Sequence, residues 1–234
     1  MATKREFENY EELARFIYNM QIREIGDGSE GTVYLGKDGY AYKLFYEEPW
    51  ASDIKEIEPD RIITKQELPL DSFAFPQELF IVDGKVMGCK MELVRRNLVG
   101  TMNIVTYSDF FDVDIYAFYR AYEKLIEDVK TLSDLRILLF DVANNIMFDG
   151  KKITVVDTFY YTRELKEQYE KNLYIVEKAV EQIFNFWLEN SGLEEQEITE
   201  HDVLAYLEHV FDAMSSKNMD EEFFYDEIIG KKKK

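Results

Sequence analysis

Three glycines near the N-terminus are spaced so that a loop could close over a phosphate group. The segment Gly26–Tyr34 reads Gly-Asp-Gly-Ser-Glu-Gly-Thr-Val-Tyr. The same glycine spacing also occurs in ordinary turns, so the loop alone is weak evidence for a binding site. The residues that follow it favour a strand, because Thr32 and Val33 are β-branched. A strand there argues against a dinucleotide-binding fold, in which the glycines open a helix.

A lysine on the next predicted strand could bring a positive charge to this loop. Lys43 lies twelve positions after Gly31, beyond a hairpin turn at Lys37–Gly39. Side chains alternate along a strand, so Ala41 and Lys43 share one face, where Ala41 can contact a base and Lys43 can reach phosphate oxygens. A lone lysine on a strand is more often a surface residue. Beside a glycine loop, phosphate binding becomes the better interpretation.

Two aspartates and an asparagine in the second half of the chain could bind a metal ion and accept a proton. Asp141 precedes Asn145 by four positions, and Asp157 follows Asn145 by twelve, after the apolar run Ile153–Val156. Phosphoryl transfer from ATP needs a divalent metal on oxygen ligands and a group that orients the acceptor hydroxyl. Asn145 and Asp157 on neighbouring strands could share the metal, and Asp141 could accept the hydroxyl proton. Asp and Asn also favour turns, which explains Asp149 better than Asp157.

The hydrophobic pattern predicts strands first and helices afterwards. The predicted elements are a helix at Glu6–Met20, two or three antiparallel strands at Ile22–Tyr46, a short helix from Pro59, a hairpin at Glu78–Val94, a helix at Asp112–Leu132, a short β region at Ile137–Val156, and helices at Arg163–Asn190 and Thr199–Met214. This order predicts an α+β fold with two lobes. Residues 1–94 would form the antiparallel-sheet lobe, and residues 95–234 would form a helical lobe that contains a β hairpin.

The composition limits the partners and the chemistry. A net charge of −19 over 234 residues disfavours nucleic acid and anionic membranes as partners. The single cysteine, Cys89, excludes an intrachain disulfide, and two histidines argue against a conventional zinc enzyme. No apolar run approaches the roughly 20 residues that span a bilayer, and the polar N-terminus is not a secretory signal. We therefore expect a soluble, cytoplasmic protein without a nucleic-acid or membrane partner.

Together these features resemble the protein-kinase-like superfamily over about residues 22–159, in the form of a small, divergent, bacterial-type member. The resemblance implies ATP and Mg²⁺ as ligands, and transfer of the γ-phosphate to a hydroxyl of a protein serine or threonine or of a small molecule. It implies catalytic roles for Lys43 and Asp141, and metal binding by Asn145 and Asp157. The nucleotide-binding residues that it implies, with the hinge at Met91–Val94, are Gly26, Gly28, Gly31, Val33, Ala41, Lys43, Met91, Glu92, Val94 and Met147.

Several positions depart from the family pattern. Leu139 and Phe140 stand where the family has His-Arg before the catalytic aspartate, and Asp157–Phe159 reads Asp-Thr-Phe instead of D-F-G. No A-P-E motif follows, so the usual platform for a peptide substrate is missing. A phosphotransferase remains the first hypothesis. The alternative is a pseudokinase, which would bind a nucleotide or a partner without turnover.

Two assignments within the resemblance stay open. The interval from the catalytic aspartate to Asn145 is one position shorter than in the family, so Asn144 is an alternative metal ligand. The glutamate that pairs with Lys43 is expected at Glu58, with Glu56 as a second possibility. Pro59 interrupts the helix that would carry this glutamate.

Overall fold

A six-stranded sheet forms the first half of the computed structural model, which describes residues 3–47, 58–94, 115–163 and 171–180. Its strands are β1 (Thr3–Phe7), β2 (Gln21–Asp27), β3 (Gly31–Gly36), β4 (Ala41–Phe45), β5 (Glu78–Val82) and β6 (Lys85–Met91). They lie in the order β1-β5-β6-β4-β3-β2. Every neighbouring pair is antiparallel except β1 and β5, which run parallel. The sheet confirms the strands predicted in Ile22–Tyr46 and Glu78–Val94.

One amphipathic helix, α1 (Tyr10–Met20), covers one face of this sheet. Asn9 caps its start, because the Asn9 side chain accepts a hydrogen bond of 2.9 Å from the amide of the third helical residue. Leu13 and Ile17 on the buried side pack against the ring of Phe80 in the sheet. Burial of this apolar stripe, rather than helix propensity alone, stabilises so short a helix.

The helix predicted at Glu6–Met20 begins too early. Thr3–Phe7 forms β1, which pairs with β5 across a long stretch of sequence. Phe7 contacts the cluster beneath α1 from the strand, so its apolar character suits either structure. The parallel pairing is a tertiary interaction and overrides the local helical pattern.

The second half of the chain is built around two small two-stranded sheets and two helices. Its elements are α2 (Ile115–Asp134), β7 (Ile137–Leu138), β8 (Ile146–Phe148), β9 (Ile153–Val155), β10 (Thr162–Arg163) and α3 (residues 172–180). β8 pairs with β9, and β7 pairs with β10. The helix predicted to start at Arg163 therefore begins too early, because Arg163 lies in β10. The helix predicted at Thr199–Met214 lies outside the described residues.

A large apolar core holds this second half together and recruits a segment from before β5. Leu125 of α2, Ile146 of β8 and Val155 of β9 are fully buried in it. Phe73 and Phe75 pack in the same core, and Phe73 pairs with Val155. The segment with Phe73 and Phe75 therefore packs in the core of the second half of the chain, before the chain enters the sheet again at β5. The domain boundary at residue 94 stays a prediction.

Local turn chemistry matches the structure closely. Asp83 and Gly84 connect β5 to β6 with φ of 51° and 77°, as a two-residue hairpin turn of type I′ requires.

A single 3-10 turn at Pro59–Arg61 stands where a short helix was predicted. No helix among the described residues is long and apolar enough to cross a bilayer.

Candidate functional site

Lys43 lies on the face of the sheet that turns toward the second half of the chain, and it contacts two carboxylates there. Its Nζ is 2.5 Å from Oδ1 of Asp157 and 2.8 Å from Oε2 of Glu30. Lys43 is 7% exposed, whereas the two carboxylate side chains are partly open to solvent. The structure therefore brings together the predicted phosphate lysine and the predicted metal aspartate.

The surroundings of Lys43 keep its ammonium charged. Burial disfavours the charged form, but the carboxylates of Asp157 and Glu30 outweigh burial and raise the pKa of Lys43 above its ordinary value. Cys89 lies opposite Lys43 across β4 and β6, and burial raises the pKa of its thiol to about 12. Lys43 is thus a fixed positive charge above a neutral, buried thiol.

Asp157 has a left-handed backbone, and contacts of the next two residues, Thr158 and Phe159, keep it directed toward Lys43. Its φ of 56° and ψ of 44° are left-handed, a conformation that costs about 1 kcal/mol in a residue with a side chain. Thr158 donates a hydrogen bond of 3.2 Å from its hydroxyl to the carbonyl of Ala74. The ring of Phe159 packs against that of Phe45, with centroids 4.7 Å apart. These contacts on the following residues offset the strain at Asp157.

Asn145 sits next to Asp157 because β8 and β9 pair in register. The amide of Val156 donates to the carbonyl of Asn145 at 2.8 Å. Nδ2 of Asn145 donates to the carbonyl of Asp141 at 2.7 Å, which leaves its Oδ1 as an acceptor. Nδ2 of Asn144 donates to Oδ1 of Asp141 at 2.9 Å, while Oδ1 of Asn144 is buried with no donor among the described residues. Both asparagines retain an oxygen, so the choice of metal ligand between them stays open.

Asp141 lies in an exposed turn and also has a left-handed backbone, with φ of 45°. Its carboxylate and that of Asp157 both act on the hydroxyl of Tyr161. Burial, and then the charges of Asp157 and Asp141, raise the pKa of Tyr161. This hydroxyl is buried without a hydrogen-bond partner in the described part of the chain. Both predicted acids thus lie within electrostatic reach of the buried Tyr161 hydroxyl.

The glycine loop joins β2 to β3 and is closed by its own hydrogen bonds. The amide of Gly28 donates to the carbonyl of Gly31 at 3.1 Å, and the amide of Tyr46 donates to the carbonyl of Glu30 at 3.0 Å. Asp27 accepts hydrogen bonds from the hydroxyls of Thr32 and Tyr46. The main chain of the loop is thus anchored at both ends.

Packing constrains the three glycines of the loop, Gly26, Gly28 and Gly31, to different degrees. A Cβ on Gly31 would lie 2.1 Å from the carbonyl oxygen of Leu44, so the packing of β3 on β4 demands glycine there. A Cβ on Gly26 would make only an ordinary contact with Val33, and one on Gly28 would meet no described atom within 4 Å. The packing of the described residues thus constrains Gly31 but not Gly26 or Gly28, and the binding role of all three stays a prediction.

Four residues implied to contact the base lie on four different strands. Ala41 of β4 pairs directly with Met91 of β6, and Val33 pairs with Lys43 across β3 and β4. Ala41 is buried, whereas Val33, Met91 and Met147 of β8 are each half-buried. Partial exposure of apolar side chains is what a pocket for a planar base requires.

An ion pair links the predicted hinge to the hairpin that carries the predicted metal ligands. Oε1 of Glu92 accepts an ion-paired hydrogen bond of 3.2 Å from Nζ of Lys152, just before β9. Lys65 also lies 4.0 Å from Glu92. Val94, the last implied hinge residue, is half-buried. The side chain of Glu92 is engaged with lysines, and only its backbone could bind a base.

The glutamate that pairs with Lys43 is Glu30 in the structure, and the expectation of Glu58 is wrong. Glu58 instead precedes the 3-10 turn at Pro59–Arg61, where its carbonyl accepts a hydrogen bond from Arg61. Glu30, from inside the glycine loop, takes the position beside Lys43. Glu56 lies outside the described residues. An acidic side chain within a loop expected to bind phosphate was the available signal for Glu30.

Asn172 of α3 is a second site residue that sequence reasoning missed. It is fully buried, and its Oδ1 accepts a hydrogen bond of 3.0 Å from the amide of Leu139. Its Nδ2 donates to the carbonyl of Ile137 at 2.6 Å and to the hydroxyl of Ser133 at 3.2 Å. Asn172 thereby fixes the strand that leads to Asp141. A lone amide in an otherwise apolar helical face was its signal.

The oxygen donors fit a magnesium ion that arrives with a nucleotide. Within the described ranges no three His, Cys, Asp or Glu residues cluster as a metal site. Mg²⁺ is commonly held by one or two protein oxygens together with substrate phosphates and water. Asp157 and the amide oxygen of Asn145 or Asn144 supply that number of ligands.

Comparison with known proteins gives matches among solved structures only. No protein-family model and no curated protein matches the sequence. The BubR1 kinase domain matches at 19% identity and a TM-score of 0.40, over 61% of this chain and 47% of that one. A pseudokinase in its apo form matches at 12% and 0.44, over 68% and 60%. Vaccinia related kinase 3 matches at 11% and 0.44, over 61% and 48%. The chain thus spans about half to three fifths of the chains it matches.

The fold is protein-kinase-like on features of the chain itself. A glycine-rich loop joins the first two strands of the antiparallel meander β2-β3-β4, and the lysine lies on the third strand. An aspartate from the second half of the chain reaches this lysine. A mixed sheet followed by a small helical part completes the predicted α+β architecture.

Proposed function

We propose that the chain is an ATP-dependent phosphotransferase that binds its nucleotide beneath the glycine loop. The contact of 2.5 Å between Lys43 and Asp157 supports this most strongly, since it joins a phosphate-binding cation to a metal-binding acid. Lys43 lies on β4 of the six-stranded sheet, and Asp157 comes from the second half of the chain, directly before the 3-10 turn at Thr158–Tyr160. A buried ion pair adds little net stability compared with apolar packing, which favours a role in ligand binding for these charges.

Each side chain has a defined task in this proposal. Lys43 binds the phosphates, and the half-buried apolar residues Val33, Met91 and Met147 hold the base. Asp157, with Asn145 or Asn144, would hold Mg²⁺, which when bound neutralises charge on the phosphates. Asp141 orients the acceptor hydroxyl and accepts its proton, since it is exposed at the edge of the site.

The acceptor in this proposal is a hydroxyl of a protein serine or threonine or of a small molecule. The exposed position of Asp141 admits either class. A cytoplasmic location suits the proposal, because ATP and Mg²⁺ are available there. The strongly acidic chain disfavours nucleic acid and anionic membranes as further partners.

The direct test measures transfer of labelled phosphate from ATP, with Mg²⁺ or Mn²⁺, to the protein and to candidate acceptors. Asp157→Asn keeps the shape of the side chain and removes the charge, so we expect transfer to fall at least about a hundredfold. Asp83→Asn is the matched control, because Asp83 is exposed in the turn between β5 and β6 and asparagine suits its left-handed backbone. Transfer that is equal in the two variants would contradict the proposal.

A pseudokinase is the second candidate, and two contacts favour it. The carboxylate of Glu30 already accepts a hydrogen bond from Lys43, and Asn144 donates a hydrogen bond to the carboxylate of Asp141. Both contacts would have to yield during catalysis. A thermal shift with ATP and Mg²⁺, without any transfer of phosphate to an acceptor, identifies this alternative.

A further inference from the structure

The Glu30 carboxylate stands where a nucleotide phosphate would have to bind Lys43. Its Oε2 is 2.8 Å from Nζ, and Asp157 occupies a second direction around the same nitrogen. We propose that Glu30 is the specificity-determining residue of the phosphate subsite: it binds Lys43 when no ligand is present, and a phosphate must displace it. This inference rests on the proposed nucleotide site.

Displacement needs only the side chain of Glu30 to move. Its carbonyl is fixed by the amide of Tyr46, and the loop is closed by the hydrogen bond from Gly28 to Gly31. The Glu30 side chain is 20% exposed and reaches solvent directly. Rotation about its side-chain bonds can therefore vacate Lys43 without refolding the loop.

The local charge explains why phosphate and glutamate compete. Lys43 carries one positive charge and already contacts two carboxylates, so the group of three is net negative. A phosphate added beside Glu30 would place a third anion on one ammonium, which like-charge repulsion disfavours. The hydroxyl of Tyr160 also lies against Glu30, and burial together with the charge of Glu30 raises the pKa of Tyr160. Tyr160 thus stays a neutral donor that holds the carboxylate in place.

This arrangement predicts discrimination among ligands of one shape. Adenosine occupies the base site without reaching Lys43, so Glu30 does not oppose it. ADP and ATP must displace Glu30 and lose affinity accordingly. Glu30→Gln keeps the length of the side chain and removes its negative charge. We expect it to tighten binding of Mg·ADP and Mg·ATP at least about tenfold, which is about 1.4 kcal/mol, and to leave adenosine within about twofold.

Calorimetric or fluorescence titration of the full chain with adenosine, Mg·ADP and Mg·ATP tests the inference. Glu24→Gln is the matched control, because Glu24 is exposed on β2 of the same hairpin and carries the same charge. Tighter ADP and ATP binding in Glu30→Gln alone supports the proposal, including the case in which only this variant binds them measurably. Thermal unfolding of each variant checks that it is folded.

Three results overturn the proposal. The first is unchanged or weaker ADP and ATP binding in Glu30→Gln when the parent protein binds them. The second is an equal gain for adenosine, which would mean a general opening of the cleft. The third is an equal gain in Glu24→Gln, which would mean a bulk charge effect. Failure of every folded variant to bind adenosine, ADP or ATP instead rejects the nucleotide site itself, and the inference with it.

Discussion

The ring of Phe159 packs on the ring of Phe45 at 4.7 Å between centroids, and each ring lies two positions after a charged site residue. Phe45 shares a strand face with Lys43, and Phe159 follows Asp157 through one 3-10 turn. The ion pair and the aromatic pair therefore form two adjacent connections between the sheet and the second half of the chain. The contact between the two rings therefore helps to hold the ammonium of Lys43 and the carboxylate of Asp157 close together.

Removal of the aromatic contact should weaken both the fold and the site. Phe159 is 7% exposed, and truncation of a buried phenylalanine costs about 3 kcal/mol or more. We expect Phe159→Ala to lower the free energy of unfolding by about that amount, measured by urea denaturation. Nucleotide affinity should fall as well, because Asp157 loses its support. Phe140→Ala is the control, since Phe140 is 63% exposed and its loss should change stability by less than about 0.5 kcal/mol. Equal losses in the two variants would contradict this account.

The ion pairs of Lys43 should make stability depend on pH at the alkaline end. The pKa of Lys43 is raised in the folded protein above its ordinary value of 10.5. The folded state therefore holds this proton more tightly than the unfolded state does. The stabilisation is fully present below pH 10.5 and is lost as the pH rises through the folded-state value.

Lys43→Met isolates this contribution, because methionine fills similar space without a charge. We expect the stability of the parent protein relative to Lys43→Met to be constant between pH 8 and about 10 and to decrease above that range. Urea denaturation at each pH measures both proteins, and the difference removes the titration of other groups that the two share. A difference that stays flat to pH 11.5, or increases with pH, would show that the carboxylates do not hold the lysine proton.

The glycine loop offers a pair of substitutions that separates folding from binding. Gly31→Ala places a methyl group against the backbone of Leu44, so we expect a loss of about 2 kcal/mol or more in unfolding free energy. Gly28→Ala meets no described atom and should leave stability within about 0.5 kcal/mol. It should nevertheless weaken ATP binding if the loop covers the phosphates. Unchanged ATP affinity in Gly28→Ala would remove this residue from the site.

The parts of the fold that sequence predicts are those set by local chemistry. Asp83–Gly84 specifies its own hairpin turn, so both flanking strands follow from a few residues. β1 escapes prediction because its partner β5 is remote in sequence, and Phe7 fits a helix or a strand equally well. β10 at Thr162–Arg163 escapes for the same reason, since only its pairing with β7 makes it a strand.

The candidate site divides in a similar way. Lys43 and Asp157 are predictable, because Lys43 lies within an apolar strand after the glycine loop and Asp157 follows the apolar strand β9. The glutamate that forms an ion pair with Lys43 is not predictable from spacing. Glu30 and Glu58 carry the same side chain, and only the path of the backbone decides which of them reaches Lys43. Asn172 is also beyond a motif search, since it bonds the main chain and, among the described residues, contacts none of the predicted site residues.

Asn172 provides the test of whether the backbone before Asp141 matters for catalysis. Asn172→Ala leaves the amide of Leu139 and the carbonyl of Ile137 buried without their partner, which should cost about 2 to 4 kcal/mol of stability. In the variant that remains folded, we expect phosphate transfer at saturating ATP to fall at least about tenfold, with little change in the KM for ATP.

The rate should fall without a change in the KM for ATP, because Asn172 supports the segment that leads to Asp141, whereas Lys43 lies on a separate strand. Asn172→Asp can still accept from the Leu139 amide, but an ionised carboxylate would face the Ile137 carbonyl, so it should lower stability at least as much as Asn172→Ala. Tyr174→Ala on the same helix is the control, since Tyr174 is 60% exposed. Steady-state kinetics below the unfolding temperature of each variant decides the matter. A rise in the KM for ATP with an unchanged maximal rate would assign Asn172 to general stability instead of to the position of Asp141.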